Sequence, residues 1–96
     1  MWLQIIYRHF WDVPRLFTVR YKDQTYLFDS KFDEEQDEYS DTYKVYRLEG
    51  DGSKSQDWEA EVINHAPDGQ VKIDDVQFDH SRRQEIHSDV FLRLAL

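Results

Sequence analysis

The stretch that decides the fold is LFTVRYKDQTYLFDSKF, residues 16–32. Every second side chain from Phe17 to Tyr21 is apolar, and this period of two is typical of a strand that buries one face. Residues 25–28 form another run of β-branched and aromatic side chains, which favour a pleated sheet. The KDQ sequence at residues 22–24 separates the two runs, and its aspartate tolerates the left-handed backbone of a tight turn. The stretch therefore predicts a β-hairpin.

The hairpin needs other elements against its apolar face, because an isolated hairpin is only marginally stable in water. Alternating apolar residues predict further strands at residues 42–48 and 71–78, and residues 2–8, with apolar side chains on both faces, predict a central strand or one covered by a helix. At residues 88–96, apolar side chains recur at helical spacing behind a serine that caps the first turn. We therefore expect an α+β fold: a mostly antiparallel sheet of five or six strands, or a partly open small barrel, with a C-terminal helix.

The sequence predicts turns or irregular structure in other segments. Pro14 predicts a turn over residues 10–14, because proline cannot donate to a strand ladder. The acidic run at residues 29–41 predicts a charged loop with a short helical turn, in which Asp33 is the cap. Apolar residues change face within the strand predicted at residues 71–78, and one extra residue at positions 74–75 would restore the register as a β-bulge.

The rest of the second half is less regular. Residues 49–55 contain two of the three glycines and predict a surface loop. Residues 57–65 are compatible with a helix and with a strand, and the turn sequence at residues 67–69 favours the strand of a hairpin. Residues 81–86 predict a turn before the C-terminal helix.

The composition indicates one folded domain, residues 1–96. The chain of 96 residues is the size of a single domain, and its aromatic share of 16% is high enough to build an aromatic core. It contains no cysteine, which excludes disulfides and thiolate chemistry and fits a reducing compartment. Residues 1–10 lack the apolar run of a signal peptide, and no stretch approaches the roughly 20 apolar residues of a spanning helix. We therefore expect a soluble, cytoplasmic protein.

The net charge of the chain limits the classes of partner that we expect. Lys and Arg number 12, Asp and Glu number 20, and the formal net charge is −8. Such a charge repels phosphate backbones and anionic membranes, so neither nucleic acid nor a membrane is an expected partner. It favours another protein with a basic surface. Self-association through a sheet edge, as a homo-oligomer, is a second way for this domain to form a complex.

The acidic run and nearby aromatic residues are the candidate contact surface. Five carboxylates this close in sequence cannot lie in a core unless they are paired. Tyrosine adds contact area at low entropic cost, and Tyr43 and Tyr46 fall on opposite faces of one predicted strand, so one of them should face outward. The alternative for these rings is cross-strand packing within the sheet. The candidate contact residues are Trp11, Asp33, Glu34, Glu35, Asp37, Glu38, Tyr39 and Tyr43.

The sequence contains no motif that indicates a metal or a cofactor, and we expect neither. A calcium loop that begins at Asp33 would need glycine at its sixth position, where Glu38 stands, and glutamate at its twelfth, where Lys44 stands. The four histidines form no zinc signature, and the three glycines form no phosphate-binding pattern.

Two histidines lie close to carboxylates in the sequence: His80 follows Asp79, and His87 lies two positions after Glu85. A general base oriented by an acid has this composition, and so does an ordinary surface pair. An active site needs a third convergent group, and the sequence offers none, so we predict no catalytic residue. We therefore expect a non-enzymatic protein–protein interaction module. The alternatives are an acidic inhibitor, immunity-type protein or nucleic-acid mimic, and a small enzyme that uses a histidine with a carboxylate.

Overall fold

The computed structural model describes residues 1–48, 65–79 and 84–94. Its strands are β1 (Trp2–Trp11), β2 (Val13–Tyr21), β3 (Gln24–Asp29), β4 (Phe32–Asp33), β5 (Glu38–Tyr39), β6 (Thr42–Leu48), β7 (Gly69–Lys72) and β8 (Glu85–His87). A 3₁₀ turn spans Ile73–Asp75, and the helix α1 spans Val90–Leu94. No helix in these ranges is long and apolar enough to cross a bilayer.

Six strands form one curled antiparallel sheet in the order β7-β6-β3-β2-β1-β8. The segment after β7 returns to β8 at the other edge, where Phe78 forms a bridge with Ile86. Beside that bridge, the backbone N–H of Asp79 donates to the carbonyl of Glu85 at 3.1 Å. The two edges of the sheet therefore approach each other, and the architecture is a half-barrel. The predicted mostly antiparallel sheet with a C-terminal helix is confirmed in this form.

The hairpin predicted from residues 16–32 is formed by β2 and β3. Their register pairs Phe17 with Phe28 and Tyr21 with Gln24, so Gln24 begins the second strand and does not belong to the turn. Lys22 and Asp23 alone make the turn, with φ of 50° and 64°. Positive φ at both central residues is the geometry of a two-residue turn whose twist matches that of the paired strands.

The core is aromatic and lies on the face of the sheet that α1 covers. Phe17 stacks on Phe28 with ring centroids 4.8 Å apart, and the edge of Tyr43 meets Phe17 at 5.4 Å. Each such ring removes on the order of 150–250 Å² from water, so these contacts account for much of the apolar burial. The buried residues of this core are Ile5, Phe17, Val19, Tyr26, Phe28, Tyr43, Val45, Val71, Val76, Ile86, Val90 and Leu94.

A second cluster is buried on the opposite face of the central strands. It consists of Leu16, Leu27, Tyr46 and Leu48. Tyr43 and Tyr46 do lie on opposite faces of β6, but their exposed fractions are 0% and 6%. The expectation that one of these rings faces outward is wrong, because each ring is buried in one of the two clusters.

The turn predicted at residues 10–14 is much shorter than expected. β1 continues to Trp11, which pairs with Val13, and Phe10 pairs with Pro14. Asp12 alone reverses the chain, with a left-handed φ of 59°. Aspartate visits this region at lower cost than most residues, and this allows the two strands to meet around one residue.

The end of the chain departs from prediction in two places. The strand predicted at residues 71–78 stops at Lys72, and the change of face comes from the 3₁₀ turn Ile73–Asp75 and not from a bulge. Glu85–His87, expected partly in a turn, is a strand paired with β1. The helix is Val90–Leu94, within the predicted residues 88–96. The predictions for residues 49–64 and 80–83 lie outside the described residues.

Candidate functional site

The acidic run forms a small hairpin of its own. β4 and β5 pair Phe32 with Tyr39 and Asp33 with Glu38, in a separate two-stranded sheet. The Asp33 carboxylate accepts the backbone N–H of Glu35 at 2.9 Å, but the helical turn that it was predicted to cap does not form. The segment it caps is the turn of a β-hairpin and not a helical turn, because the chain returns to pair with itself. We call residues 32–39 the acidic hairpin.

The acidic hairpin exposes its charges to solvent, as expected for carboxylates without buried partners. One carboxylate of the wider run behaves differently: Asp29, at the end of β3, is only 6% exposed and lies 3.8 Å from the Lys31 ammonium. The exposed carboxylates of the hairpin are those of Asp33, Glu34, Glu35, Asp37 and Glu38.

A buried arginine attaches the acidic hairpin to the main sheet. Arg15, on β2, is 9% exposed. Its guanidinium donates to the Ser30 hydroxyl at 3.1 Å and to the Ser40 carbonyl at 3.2 Å. It also donates to the Asp12 carboxylate at 2.7 Å and lies over the Tyr39 ring, 4.7 Å from the centroid. One side chain therefore joins the β1–β2 turn, the end of β3 and the end of the hairpin.

A cleft of about 560 Å³ lies between the acidic hairpin and the β1–β2 turn. We call it the acidic cleft, because three carboxylates and one guanidinium line it together with two aromatic rings. The rings meet edge to face with centroids 5.1 Å apart. The lining residues are Asp12, Arg15, Phe32, Asp37, Glu38 and Tyr39.

A second cleft, of about 330 Å³, lies beside the same hairpin. Phe32 lines both clefts and remains 46% exposed. The second cleft carries lysines as well as carboxylates, so its charge is more balanced than that of the acidic cleft. Its lining residues are Asp29, Lys31, Phe32, Asp33, Glu34, Ser40, Thr42 and Lys44.

The structure brings most of the predicted contact residues together. Asp37, Glu38 and Tyr39 line the acidic cleft, Asp33 and Glu34 line the second cleft, and Glu35 lies exposed between them in sequence.

Two predicted contact residues stand apart from this group. Tyr43 is fully buried, and its hydroxyl donates to the Pro14 carbonyl at 2.6 Å, so it offers no surface to a partner. The backbone of Trp11 ends β1, and the prediction for its side chain lies outside the described part of the structure.

Sequence reasoning missed three residues of the acidic cleft: Asp12, Arg15 and Phe32. A usable signal existed for Arg15: the alternation of β2 places it on the same face as Phe17 and Val19, and a charge on a buried face must find partners. Phe32 is 46% exposed at the foot of the hairpin, where its ring contacts that of Tyr39.

The histidine that the structure describes near β8 does not enter either cleft. The Nδ1 atom of His87 lies 3.2 Å from the Asp89 carboxylate, and its ring meets the Trp2 indole edge to face. The Asp79 carboxylate accepts the backbone N–H of Glu85 at 2.9 Å. Within the described ranges, no three His, Cys, Asp or Glu side chains converge as metal ligands would. His80, which follows Asp79 in the sequence, lies outside those ranges.

Burial perturbs one titratable group near the second cleft. The pKa of the Tyr46 phenol is raised from its usual value, chiefly because burial disfavours the phenolate. The negative charge of Asp29 adds to the shift, and the positive charge of Lys31 opposes it. The Tyr46 phenol therefore stays protonated to higher pH than an exposed tyrosine does.

A different surface is rich in apolar side chains. Trp2, Ile6, Tyr7 and Phe10 on β1 are between 36% and 52% exposed. Exposed apolar groups in one region mark contact surfaces in many proteins, so β1 is an alternative to the acidic hairpin.

Comparison of the chain with models of protein families, with curated proteins and with solved structures found no match.

Proposed function

We propose that this protein is a non-enzymatic interaction module that binds a partner protein with a basic surface through the acidic hairpin. The observation that carries the proposal is the concentration of exposed carboxylates on residues 33–38, on a hairpin that two clefts flank. Such a patch raises the local concentration of a cationic partner and accelerates its association.

The attachment of the hairpin supports a binding role. Arg15 fixes the foot of the hairpin through hydrogen bonds to Ser30 and the Ser40 carbonyl. A contact surface held in place loses less entropy on binding than a free loop does. The fixed hairpin can therefore present its charges in one arrangement, as a selective binding surface requires.

The test is capture of partners from cytoplasmic lysate, with identification by mass spectrometry. The hairpin variant replaces Glu34, Glu35 and Glu38 with glutamine and keeps Asp33, because Asp33 caps the turn. We expect the wild-type chain to retain a basic protein that the variant loses. Retention should also weaken steeply with salt, because the contact is between exposed charges.

A matched control removes the same number of charges elsewhere: Asp23→Asn, Asp74→Asn and Glu85→Gln, all at exposed positions. This control should retain the partner. If both triple variants lose it equally, the net charge and not the hairpin governs binding. If neither loses it, the partner binds another surface, and the proposal fails.

A further inference from the structure

We propose that the acidic cleft accepts an arginine side chain of the partner, between the Phe32 ring and the carboxylates of Asp37 and Glu38. This inference rests on the proposed function and names the chemistry that the same surface recognises. The cleft volume of about 560 Å³ lies within the range of about 300–1,000 Å³ typical of pockets that enclose an organic group. It is large enough for a side chain and not only for a bare ion.

The cleft already holds one guanidinium, supplied by its own chain. Arg15 lies 4.7 Å from the centroid of the Tyr39 ring and donates to the Asp12 carboxylate at 2.7 Å. An aromatic face and a carboxylate together are the surroundings that a planar guanidinium prefers. These residues of the cleft therefore show the chemistry that we infer for its remaining lining residues.

The other lining residues offer the same combination of groups to solvent. Phe32 is 46% exposed, and Asp37 and Glu38 line the cleft beside it. In the part of the chain that the structure describes, no lysine or arginine forms an ion pair with either carboxylate. This part of the lining is therefore negatively charged and accessible, and a cationic group from outside complements it.

The cleft should prefer arginine to lysine. A guanidinium stacks on an aromatic ring and pairs with a carboxylate through two parallel hydrogen bonds, whereas a strongly hydrated ammonium does neither as well. Citrulline has nearly the same shape as arginine and no charge, so it separates the effect of charge from that of shape.

The experiment is a titration of the isotope-labelled chain, followed by NMR, with a capped Gly-Arg-Gly-Arg-Gly peptide and its lysine and citrulline counterparts. We expect the arginine peptide to shift the amides of Asp12, Asp37 and Glu38, with affinity in the millimolar range. The lysine peptide should bind several-fold more weakly, and the citrulline peptide should leave these amides unchanged.

Two alanine substitutions at similarly exposed rings, one in the cleft and one outside it as the control, test the contribution of the aromatic ring. Phe32→Ala should lower the affinity for the arginine peptide by about threefold to fivefold, as expected for loss of an exposed cation–π contact. Phe10→Ala, at a ring 47% exposed on β1, should not change it. The amide spectrum of each variant reports whether it remains folded.

Each of three results would overturn the inference: equal binding of arginine and lysine, no effect of Phe32→Ala, or shifts confined to residues outside the cleft. These results would leave the proposed function intact if a lysate partner still required the hairpin charges. Conversely, a cleft that binds the arginine peptide while no lysate partner needs the hairpin would refute the function alone.

Discussion

The guanidinium of Arg15 lies over the ring of Tyr39, 4.7 Å from its centroid. This contact joins a residue inside the largest sheet to a residue on the acidic hairpin, which belongs to a separate two-stranded sheet. The hairpin is short, and two paired strands of this size are not stable alone in water. The position of the proposed binding surface therefore depends on Arg15.

Replacing Arg15 should loosen the hairpin and lower the stability of the fold. Arg15→Lys keeps the charge but cannot reproduce the hydrogen bonds to Ser30, the Ser40 carbonyl and Asp12. We expect the free energy of unfolding to fall by about 1–3 kcal/mol in urea denaturation, as when buried hydrogen-bond partners are left unpaired. The control Arg20→Lys, at an exposed position on β2, should change it by less than about 0.5 kcal/mol.

The same substitution should destabilise the fold to very different extents at two phenylalanines. Phe17 is fully buried among rings, so Phe17→Ala should lower the free energy of unfolding by about 3–5 kcal/mol. Phe32 is half-exposed on the hairpin, and Phe32→Ala should cost less than about 1 kcal/mol. Thermal unfolding measures both, and similar losses at the two sites would contradict the assignment of Phe32 to the surface.

The β2–β3 turn provides a test of the hairpin on which the fold depends. Asp23 has φ of 64°, a conformation that glycine adopts freely and alanine does not. We expect Asp23→Gly to be more stable than Asp23→Ala by about 1 kcal/mol in urea denaturation. Equal stabilities of the two variants would show that the turn does not have this geometry.

The raised pKa of Tyr46 predicts a loss of stability in alkali. The folded chain keeps the phenol protonated to higher pH than the unfolded chain does. Its contribution is therefore complete below the ordinary pKa of about 10 and is lost as pH rises from there through the raised pKa. In urea denaturation, Tyr46→Phe should flatten the fall of the free energy of unfolding in that range. An unchanged slope would contradict the cause that we assign, which is burial followed by the charge of Asp29.

Much of the sheet was predictable because apolar alternation assigns side chains to the two faces of a strand. Phe17 and Val19 lie in the main core, and the boundaries of β6 at Thr42–Leu48 agree with the structure. The alternation did not show that β2 is buried on both faces from Pro14 to Val19. The predictions failed where a local backbone conformation decided the path. Asp12 turns the chain within one residue, and the 3₁₀ turn Ile73–Asp75 replaces a bulge. Neither has a signal in the hydrophobic pattern.

The candidate site was predictable in its charges but not in its shape. Exposed carboxylates follow from desolvation cost, so residues 33–38 could be identified from sequence. The cleft could not, because it depends on contacts between Arg15 and residues up to 25 positions away. The prediction of Tyr43 as a contact residue was wrong for a related reason. Alternation assigns a face to each side chain but does not say whether that side chain is buried.

The most direct test of the account is hydrogen–deuterium exchange of the chain with and without the captured partner. We predict slower exchange at residues 32–40 and at Asp12 in the complex, with exchange at residues 2–7 unchanged. Protection along β1, where Trp2 and Ile6 are exposed, together with unchanged exchange in the acidic hairpin, would contradict the central claim that this hairpin is the binding surface.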